Sequence, residues 1–591
     1  MLNQFNQWRS KTSDGVDNFR HRLAYIDALP QLTVLGLLCG TAAALIIVAF
    51  RYLILLGGLP LLGTDSENFE SLAPHWRFLL PLGGALAIGL CLHRLKPSQR
   101  AVSVSHVLDR LHNHQGILPW RNVLVQFFGG VASIVSGQSV GREGPAVHLG
   151  AGMASLLAQW LKLPHNSLRI LISCGVAAAI AASFDTPMAG VIFAMEVVLM
   201  EYTIAGFIPV IIASVVGAGI TQFVFGEDNS FVVSAVAMNS LLELPFIIFG
   251  GIVIACIAAV FYRLQLLFSQ LNKVPFIIRM VVVGLTTGTV ALFVPQIMGI
   301  GYDTLSQTMA GSLSLQILFV IICGKLLCTT LSTGMGMPGG LIGPTLLLGG
   351  CVGAVLGIVG NSLFPEQASN TEFYVILGMA TMMAAVLNAP LAALVAIMEL
   401  TYNPNMIFAG MLMIVFACIT VQQVFKCEGM FIAQLKAAGT PIRAEPARQV
   451  LSRVGVLSVM NKNFVISRAD ITPKQAYDLL QNQPLWIVIE GRKDQHHKIL
   501  LRAADLATFL SQYEPSDEEV AEGAMAIDLL EIPGRRYKLQ RLHHHANLYE
   551  AHLALKTSEA EAISVEGIAS PLVSPVMGII TPETIQNYYS R

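Results

Sequence analysis

The order of apolar and polar positions divides the chain into two parts. Long apolar runs fill most of its length, for example residues 32–50, 246–261 and 406–424. A helix that spans a bilayer needs about 20 apolar residues, yet other runs, such as residues 78–92 and 317–327, are shorter. Short apolar runs broken by Gly and Pro predict tilted or half-crossing helices, which are stable where protein or a water-filled cavity surrounds them. We therefore expect an all-α polytopic membrane protein in this part of the chain.

The last part of the chain has a different pattern. From residue 444 on, apolar runs shorten into alternating pieces such as residues 486–489, which are typical of strands, and amphipathic helical stretches lie between them. This pattern predicts a soluble α/β domain over residues 444–591. The charge distribution agrees, because residues 31–426 carry 30 charged side chains in 396 positions and the other 195 positions carry 43.

Net charge and cysteine content weigh against several functions. The formal net charge is −1, which does not favour nucleic acid as a partner. The nine cysteines all lie at or before Cys427 without CxxC pairs, so we interpret them as small apolar side chains rather than zinc ligands. The sequence shows neither a paired nucleophile and base nor an HExxH motif, the patterns that would indicate an enzyme. Residues 1–30 contain four basic residues but no apolar core, which predicts a cytoplasmic N-terminal arm rather than a signal peptide.

Two sequence motifs recur in the same order. The pattern G-x-x-G-P-x-x-x-L-G occupies residues 141–150 and, 199 positions later, residues 340–349. A segment that begins with Pro and ends with Met-Glu recurs 203 positions apart, at residues 187–196 and 390–399. Duplicated halves with interrupted helices are a signature of transporters. We therefore predict an internal repeat.

The first motif places a Gly-Pro step at the expected start of a helix. The first N–H groups of a helix have no partner within it, and the helix dipole adds partial positive charge there. Such a terminus attracts anions. Two of them, one from each half, would converge near the middle of the bilayer. They would bind a halide weakly enough to release it, because they act through partial rather than full charges.

Four strings carry a family resemblance. They resemble the CLC family of chloride channels and proton–chloride antiporters over roughly residues 31–435, and they read GREGP at 141–145, GGLIGP at 339–344, FFGG at 127–130 and TGMGMP at 333–338. The resemblance implies the CLC fold, an inverted internal repeat with halves at roughly residues 31–230 and 240–435. It also implies voltage-gated chloride transport by a homodimer with one pore per subunit. The expected place is the lipid bilayer of the plasma (inner) membrane, with both termini in the cytoplasm.

The resemblance also implies roles for individual residues. Glu143, in GREGP, is the external gate, a carboxylate that occupies an anion site as a chloride mimic; the alternative is an ion pair with Arg142. Lys325 matches a basic position that lines the inner vestibule, and the alternative is a side chain that snorkels to the membrane interface. We interpret Glu196 and Glu399, at matching positions of the repeat, as buried structural carboxylates. Anion contacts are expected from Gly141, Arg142, Gly144, Leu341 and Ile342.

Two positions depart from the family's usual anion site. The first loop of that site, GSGIP in the family, falls on residues 101–105, where Val102 replaces the serine. Ser103, one position later, is the substitute candidate, unless backbone N–H groups bind the anion alone. The family's tyrosine near the end of the last membrane helix aligns with Phe431. Two hydroxyl groups are thereby lost from their expected positions, which leaves anion selectivity open.

Proton coupling depends on one further position. Proton-coupled members carry an internal glutamate directly after the position of Glu196, and here that residue is Val197. Because valine carries no proton, the resemblance favours a passive gated chloride channel. The alternative is a proton-coupled antiporter with its relay moved to Glu201, four residues later and one turn further along a continuous helix. The other interpretation of Glu201 is a solvated charge at a helix end.

The soluble tail resembles a pair of CBS repeats. Residues 498–506 and 577–585 are similar to each other, 79 positions apart. CBS pairs often bind adenine nucleotides through a Thr-x-x-Asp element, but one copy here has Asp505 without the Thr and the other has Thr581 without the Asp. Adenine nucleotide is thus an undecided ligand, and no cofactor is assigned. We interpret the three histidines at 543–545 as a polar surface loop rather than a metal site.

Overall fold

The computed structural model describes residues 22–24, 28–63, 68–226, 237–442, 446–490, 498–512, 527–567 and 575–589. The chain forms two compact units. The membrane unit comprises Leu32–Leu161 and Leu168–Arg443, and the tail unit comprises Met1–Gln31, Lys162–Ser167 and Ala444–Arg591. Most of the predicted N-terminal arm lies outside the described residues.

The described part of the membrane unit is helical throughout, as the apolar pattern predicts. Nine of its helical segments are long and apolar enough to cross a membrane. The helices of the first half are α1 Leu29–Leu62, α2 Pro74–His93, α3 Pro97–Arg100, α4 Ser103–Asn113, α5 Trp120–Val135, α6 Glu143–Trp160, α7 His165–Phe184, α8 Pro187–Phe193 and α9 Ile204–Phe225. Those of the second half are α10 Leu244–Ser269, α11 Phe276–Phe293, α12 Tyr302–Met309, α13 Leu315–Gly334, α14 Ile342–Leu363, α15 Thr371–Leu387, α16 Pro390–Thr401, α17 Ile407–Ile419 and α18 Met430–Ala437.

The two halves of the repeat meet at the loops before α6 and α14. The N–H of Gly141 donates to the carbonyl of Gly340 at 2.7 Å, and the N–H of Gly340 donates back to Gly141 at 2.7 Å. The two segments run antiparallel at this bridge, as expected of an inverted repeat. A Cβ atom on Gly144 would lie 2.7 Å from Cα of Gly340, closer than nonbonded carbon atoms approach. Glycine at this crossing therefore lets the starts of the two helices come together.

Two glutamates join the halves in the same reciprocal way. The carboxylate of Glu399, on α16, accepts from the N–H groups of Met188 at 2.8 Å and Ala189 at 2.7 Å, in the first turn of α8. The carboxylate of Glu196, just after α8, accepts from Ala392 at 2.7 Å in the first turn of α16. Each glutamate satisfies N–H groups that have no partner within the other half's helix. They are only partly buried, and their observed contacts are those of helix caps.

The described part of the tail unit is built from alternating helices and strands. They are α19 Pro446–Leu451, α20 Val456–Val459, β1 Phe464–Arg468, β2 Asp470–Ile471, α21 Pro473–Gln481, β3 Trp486–Glu490, β4 Ile499–Arg502, α22 Ala503–Gln512, β5 Ile527–Asp528, β6 Arg536–His543, α23 Leu548–Thr557, β7 Ala562–Glu566, β8 Val576–Ile580 and α24 Pro582–Tyr589.

These strands form a six-stranded sheet and a two-stranded one. The larger sheet has the order β1-β3-β4-β6-β7-β8, and β2 pairs with β5. β1 and β3 are parallel and β3 and β4 antiparallel, and the same arrangement recurs in β6, β7 and β8. This duplication is consistent with a CBS pair.

Removing either reciprocal cap should destabilise the membrane unit. In Glu196→Gln or Glu399→Gln one carboxylate oxygen becomes an amide NH2 group, which cannot accept from a helix N–H. We expect a loss of about 1–2 kcal/mol per substitution, measured as a lower midpoint of thermal unfolding of the protein in detergent. The control is Glu428→Gln, which alters an exposed ion pair with Lys436 and should cost well below about 1 kcal/mol. Equal midpoints for all three variants would contradict the capping role.

Candidate anion pathway

The residues before α6 and α14 bring two helix starts to one point. α6 begins at Glu143 and α14 at Ile342, and each carries a proline in its first turn, Pro145 and Pro344. Proline fits there because its missing N–H would have no partner in any case. The remaining free N–H groups and the helix dipoles make this point electropositive without any full charge.

The side chain of Glu143 fills the space between these helix starts. It is 2% exposed, and the backbone of Gly343, in the first turn of α14, hydrogen-bonds to its carboxylate. A Cβ atom on Gly343 would lie 2.7 Å from Oε1 of Glu143, and one on Gly141 would lie 2.0 Å from Oε2. At positions 141 and 343, only a residue without a side chain leaves room for the carboxylate. Glu143 therefore occupies the position in which the sequence predicts an anion.

Tyr302 completes this site, although no sequence motif predicted a role for this residue. Its hydroxyl group donates to Oε1 of Glu143 at 2.9 Å. It is the first residue of α12, and it follows Gly301, whose φ of +96° favours glycine. The nearest sequence signal is the pair Gly299 and Gly301 directly before a tyrosine in an apolar region. That signal predicts a turn, but it does not say what the tyrosine contacts.

Arg142 lies beside the site rather than in it. Its guanidinium group is 5.0 Å from the ring centre of Phe184 and 5.4 Å from that of Tyr302. Such cation–π contacts hold the arginine against the two aromatic rings. Arg142 therefore packs against the ring of Tyr302, whose hydroxyl group contacts Glu143.

Two cavities border the start of α14. A small apolar cavity of about 40 Å³ is lined by Glu143, Tyr302 and Ile342, among other residues. A larger cavity of about 840 Å³, here called the wide cavity, is lined by Ser103 and by Leu341, among others. Because Leu341 and Ile342 are consecutive, the N-terminus of α14 lies between the two cavities. An anion that passes from one to the other would pass the Glu143 carboxylate.

Among the described residues that line the wide cavity, basic side chains outnumber acidic ones. Arg100, Lys273 and Arg279 line it, and Asp109 is the one acidic residue among the described residues that do so. Arg279 is held in place, because its guanidinium group donates to the carbonyl of Met335 at 3.0 Å. A cavity with excess positive charge raises the local concentration of anions. The wide cavity is therefore suited to collect anions.

The two candidates for the central anion site lie on helices that pack against each other, α4 and α18. Ser103 begins α4 with a φ of +77°, its N–H donates to Oε1 of Gln126 at 2.8 Å, and it lines the wide cavity. Phe431 is buried and lines another cavity, of about 190 Å³, together with Glu196 and Val197. That both positions border one anion site stays a prediction.

Glu201 does not lie on the helical face of Val197, which corrects the expected geometry. α8 continues as a π-helical turn over Ala194–Leu199, which ends there because Met200 adopts the left-handed conformation with a φ of +56°. Glu201 instead forms an ion pair with Arg169 at 3.0 Å, in which both side chains are about 10% exposed. The alternative of a solvated charge is also wrong. The arginine neutralises this carboxylate where it lies.

Lys325 also lies elsewhere than expected. Its side chain is fully buried, it is not among the residues that line the wide cavity, and it does not extend to an interface. Nζ donates to the carbonyls of Ile297 at 3.1 Å and Gly299 at 2.8 Å. These carbonyls belong to the turn that leads to Tyr302. Lys325 therefore stabilises the segment that presents the tyrosine to Glu143.

The candidate ligands of the tail unit have local roles. Thr581 accepts from the N–H of Thr584 at 3.4 Å and so caps α24. Asp505 packs against Gly534, where a Cβ atom would lie 2.6 Å from its carboxylate. His543 is the last residue of β6 and His544 and His545 follow it; the ligand atoms of the three histidines lie within 4.8 Å of one another. Burial, together with His165 nearby, lowers the pKa of His543.

Comparison with known proteins places this arrangement in a family. The model of the voltage-gated chloride channel family matches residues 84–422. A putative chloride channel protein ClcB-like from Ralstonia nicotianae is 29% identical over 402 residues, which cover 66% of this chain and 92% of that protein. The H(+)/Cl(−) exchange transporter ClcA of Vibrio campbellii is 27% identical, over 57% of this chain and 75% of its own length.

Solved structures support the same fold. The structure of a slow cyanobacterial Cl−/H+ antiporter superposes with a TM-score of 0.62 at 21% identity, covering 69% of this chain and 97% of that one. A eukaryotic CLC transporter superposes with a TM-score of 0.58 at 17% identity, covering 94% of this chain and 97% of that one. Motifs, fold and family match agree, and the chain is an integral membrane protein of the CLC family of chloride transport proteins.

Proposed function

We propose that this protein is a passive, gated chloride channel in which Glu143 is the gate. The observation that carries the proposal is the position of the Glu143 carboxylate between Gly141 and the first turn of α14. A carboxylate and a chloride ion need the same surroundings, namely N–H groups and partial positive charge. While the carboxylate fills this space, no anion can occupy it, and protonation or rotation of the side chain frees it.

The hydroxyl group of Tyr302 is the latch of this gate. A hydrogen bond to a charged group contributes about 1.5–3 kcal/mol, and this one holds the carboxylate in the closed position. The segment that carries Tyr302 is itself held by Lys325. Opening the gate then requires the carboxylate to leave both the tyrosine and the helix start.

The passive mechanism follows from the lack of a proton carrier at the internal position. Val197 has no ionisable group, and the acid that lines the same cavity, Glu196, accepts from a helix N–H group of the other half of the repeat. The position of Glu201 does not support the replacement relay, because this residue pairs with Arg169 and does not lie on the helical face of Val197. Chloride would then move down its own gradient without a fixed number of protons.

A proton-coupled exchanger is the second candidate. The named relative from Vibrio campbellii is an H(+)/Cl(−) exchange transporter, and coupling in this chain would require a relay at another residue. For either mechanism we propose a voltage-gated homodimer in the plasma (inner) membrane, with both termini in the cytoplasm, as the family resemblance implies. The tail would modulate the pathway without forming it.

The latch is tested by Tyr302→Phe. Loss of the hydroxyl group should weaken the closed position and raise chloride efflux from proteoliposomes by roughly tenfold, approaching the flux of Glu143→Gln. The matched control is Tyr374→Phe, which removes a hydroxyl group bound at 3.0 Å to another buried carboxylate, Glu243, and should leave the flux near the wild-type value. A Tyr302→Phe variant with wild-type flux would show that the hydrogen bond does not hold the gate.

The passive mechanism is tested by reversal potentials under crossed chloride and pH gradients. In the wild-type protein the potential should follow the chloride gradient alone at every pH gradient, because no proton crosses with the anion. Glu201→Gln should behave in the same way. Uphill proton movement driven by chloride in the wild type would overturn the channel mechanism, and its loss in Glu201→Gln would then assign the relay to that residue.

A further inference from the structure

A pair of buried histidines lies beside the wide cavity, outside the proposed gate. Nδ1 of His106, on α4, is 2.8 Å from Nε2 of His148, on α6. The ring centres are 5.1 Å apart and the planes are 23° from parallel, so the two rings lie nearly coplanar, edge to edge across this contact. His148 is fully buried, whereas His106 is 8% exposed and lines the wide cavity. The pair thus connects the wall of the cavity to the helix that begins at Glu143.

The hydrogen bond between the rings fixes how the pair can take up a proton. One proton lies between the two nitrogen atoms, and each neutral ring has one N–H and one free nitrogen. Nδ1 of His148 is buried without a hydrogen-bond partner among the described residues, so solvent does not reach it. Nε2 of His106 is the remaining nitrogen, and it belongs to the ring that lines the cavity. A proton from the cavity would therefore bind there.

We propose that His106 and His148 form a proton-binding site in the wall of the anion pathway. One new N–H bond forms at Nε2 of His106, in the tautomer in which Nδ1 of His106 donates to Nε2 of His148. The proton comes from a hydronium ion in the wide cavity, whose O–H bond breaks and leaves a water molecule, and no bond of the protein breaks. The pair then carries one positive charge, which draws anions into the cavity. This inference rests on the proposed function, since it assumes that anions cross the wide cavity.

The charged groups on the same helix leave the pair free to change its charge. Asp109 and Arg110 on α4, and His114 just after it, act on His106. Asp109 does not form an ion pair with the dyad, because its carboxylate accepts from Asn113 at 2.9 Å and lies 3.6 Å from His114. For His148, the one ionisable neighbour that acts on it among the described residues is His106.

The neighbouring helices contribute no acid that would hold the pair permanently charged. α5, α7, α14 and α18 pack against α4 or α6. α7 contributes Arg169, which pairs with Glu201. α5 contributes the exposed Arg121, α18 contributes Lys436, which pairs with Glu428, and the sequence of α14 contains no acidic or basic residue. On α6 itself the ionisable side chain other than His148 is Glu143, whose carboxylate faces Gly343 and Tyr302. The pair can therefore be neutral or singly protonated.

The position of the pair explains why its charge would affect anions. Ser103 and His106 lie three residues apart, on one face of α4, and both line the wide cavity with Leu341. A charge at His106 is one helical turn from the N-terminus of α4, where an anion would pass. Buried charges are screened less than exposed ones, so the attraction persists at ordinary salt. Histidine ordinarily titrates between about pH 5 and 8, and because burial disfavours the charged form, we expect the pair to take up its proton at the acidic end of this range or below it.

The test separates the pair from the gate by removing the gate. Glu143→Gln is reconstituted in proteoliposomes, and chloride efflux is measured with the same pH on both sides, from about pH 8 to 4, because burial disfavours the charged form of the pair. Because position 143 no longer titrates, the flux that remains should still rise roughly two- to tenfold on acidification. Adding His106→Gln or His148→Gln should abolish that rise. Adding His75→Gln, an exposed histidine outside the cavity, should leave it intact.

The outcomes are distinguishable from failure of the proposed gate. If Glu143→Gln conducts no faster than wild type, the gate is wrong, and the histidine variants are then compared in the wild-type chain. If Glu143→Gln conducts but its pH response is the same with and without the histidines, the proton-binding site is overturned.

If both histidine variants fail to fold, NMR spectra of the unmodified chain, labelled with ¹⁵N in its histidine rings, test the proposal instead. They should show an N–H···N coupled pair that gains one proton over the same pH range. Spectra without such a titrating pair would overturn the proposal.

Discussion

The contact between Glu143 and the first turn of α14 is the interaction on which the rest of the structure depends. It exists only because the loops before α6 and α14 cross at Gly141 and Gly340, where each backbone N–H donates to the other's carbonyl at 2.7 Å. Side chains at this crossing would push the two helix starts apart. With them in place, a site with partial positive charge is formed from backbone alone. A carboxylate of the same chain can then compete with an anion for it.

The low polarity of the surroundings explains why several buried or half-buried ionisable groups of the membrane unit have partners. An unpaired charge in this environment is costly, and Arg169 with Glu201 and Lys325 with two carbonyls avoid that cost. Glu196 and Glu399 bind helix N–H groups in the opposite half. These groups stabilise the fold. In the proposed account, Glu143 and the histidine pair are the groups that respond to protons and anions.

The sequence predicts the features whose chemistry is local. A Gly-Pro step and an apolar run are enough to place the starts of α6 and α14, and the recurrence of both motifs predicts two matching halves. Tyr302 was missed because its role depends on a tertiary contact with a residue 159 positions away. The geometry expected of Glu201 was wrong because a π-helical turn and the left-handed Met200 end the helix early, which sequence spacing does not reveal. Lys325 was misplaced for a different reason. A buried lysine bound to carbonyls has the same sequence pattern as one that faces a vestibule.

The central claim is that the Glu143 carboxylate occupies an anion site between the two halves of the repeat. Anomalous scattering from bromide in crystals of Glu143→Gln, with wild-type crystals grown in the same bromide, tests this most directly. The account predicts a bromide ion in the variant between Gly141 and the first turn of α14, where the wild-type protein has the carboxylate. A variant in which bromide binds elsewhere in the pathway and leaves this point without an ion would contradict it.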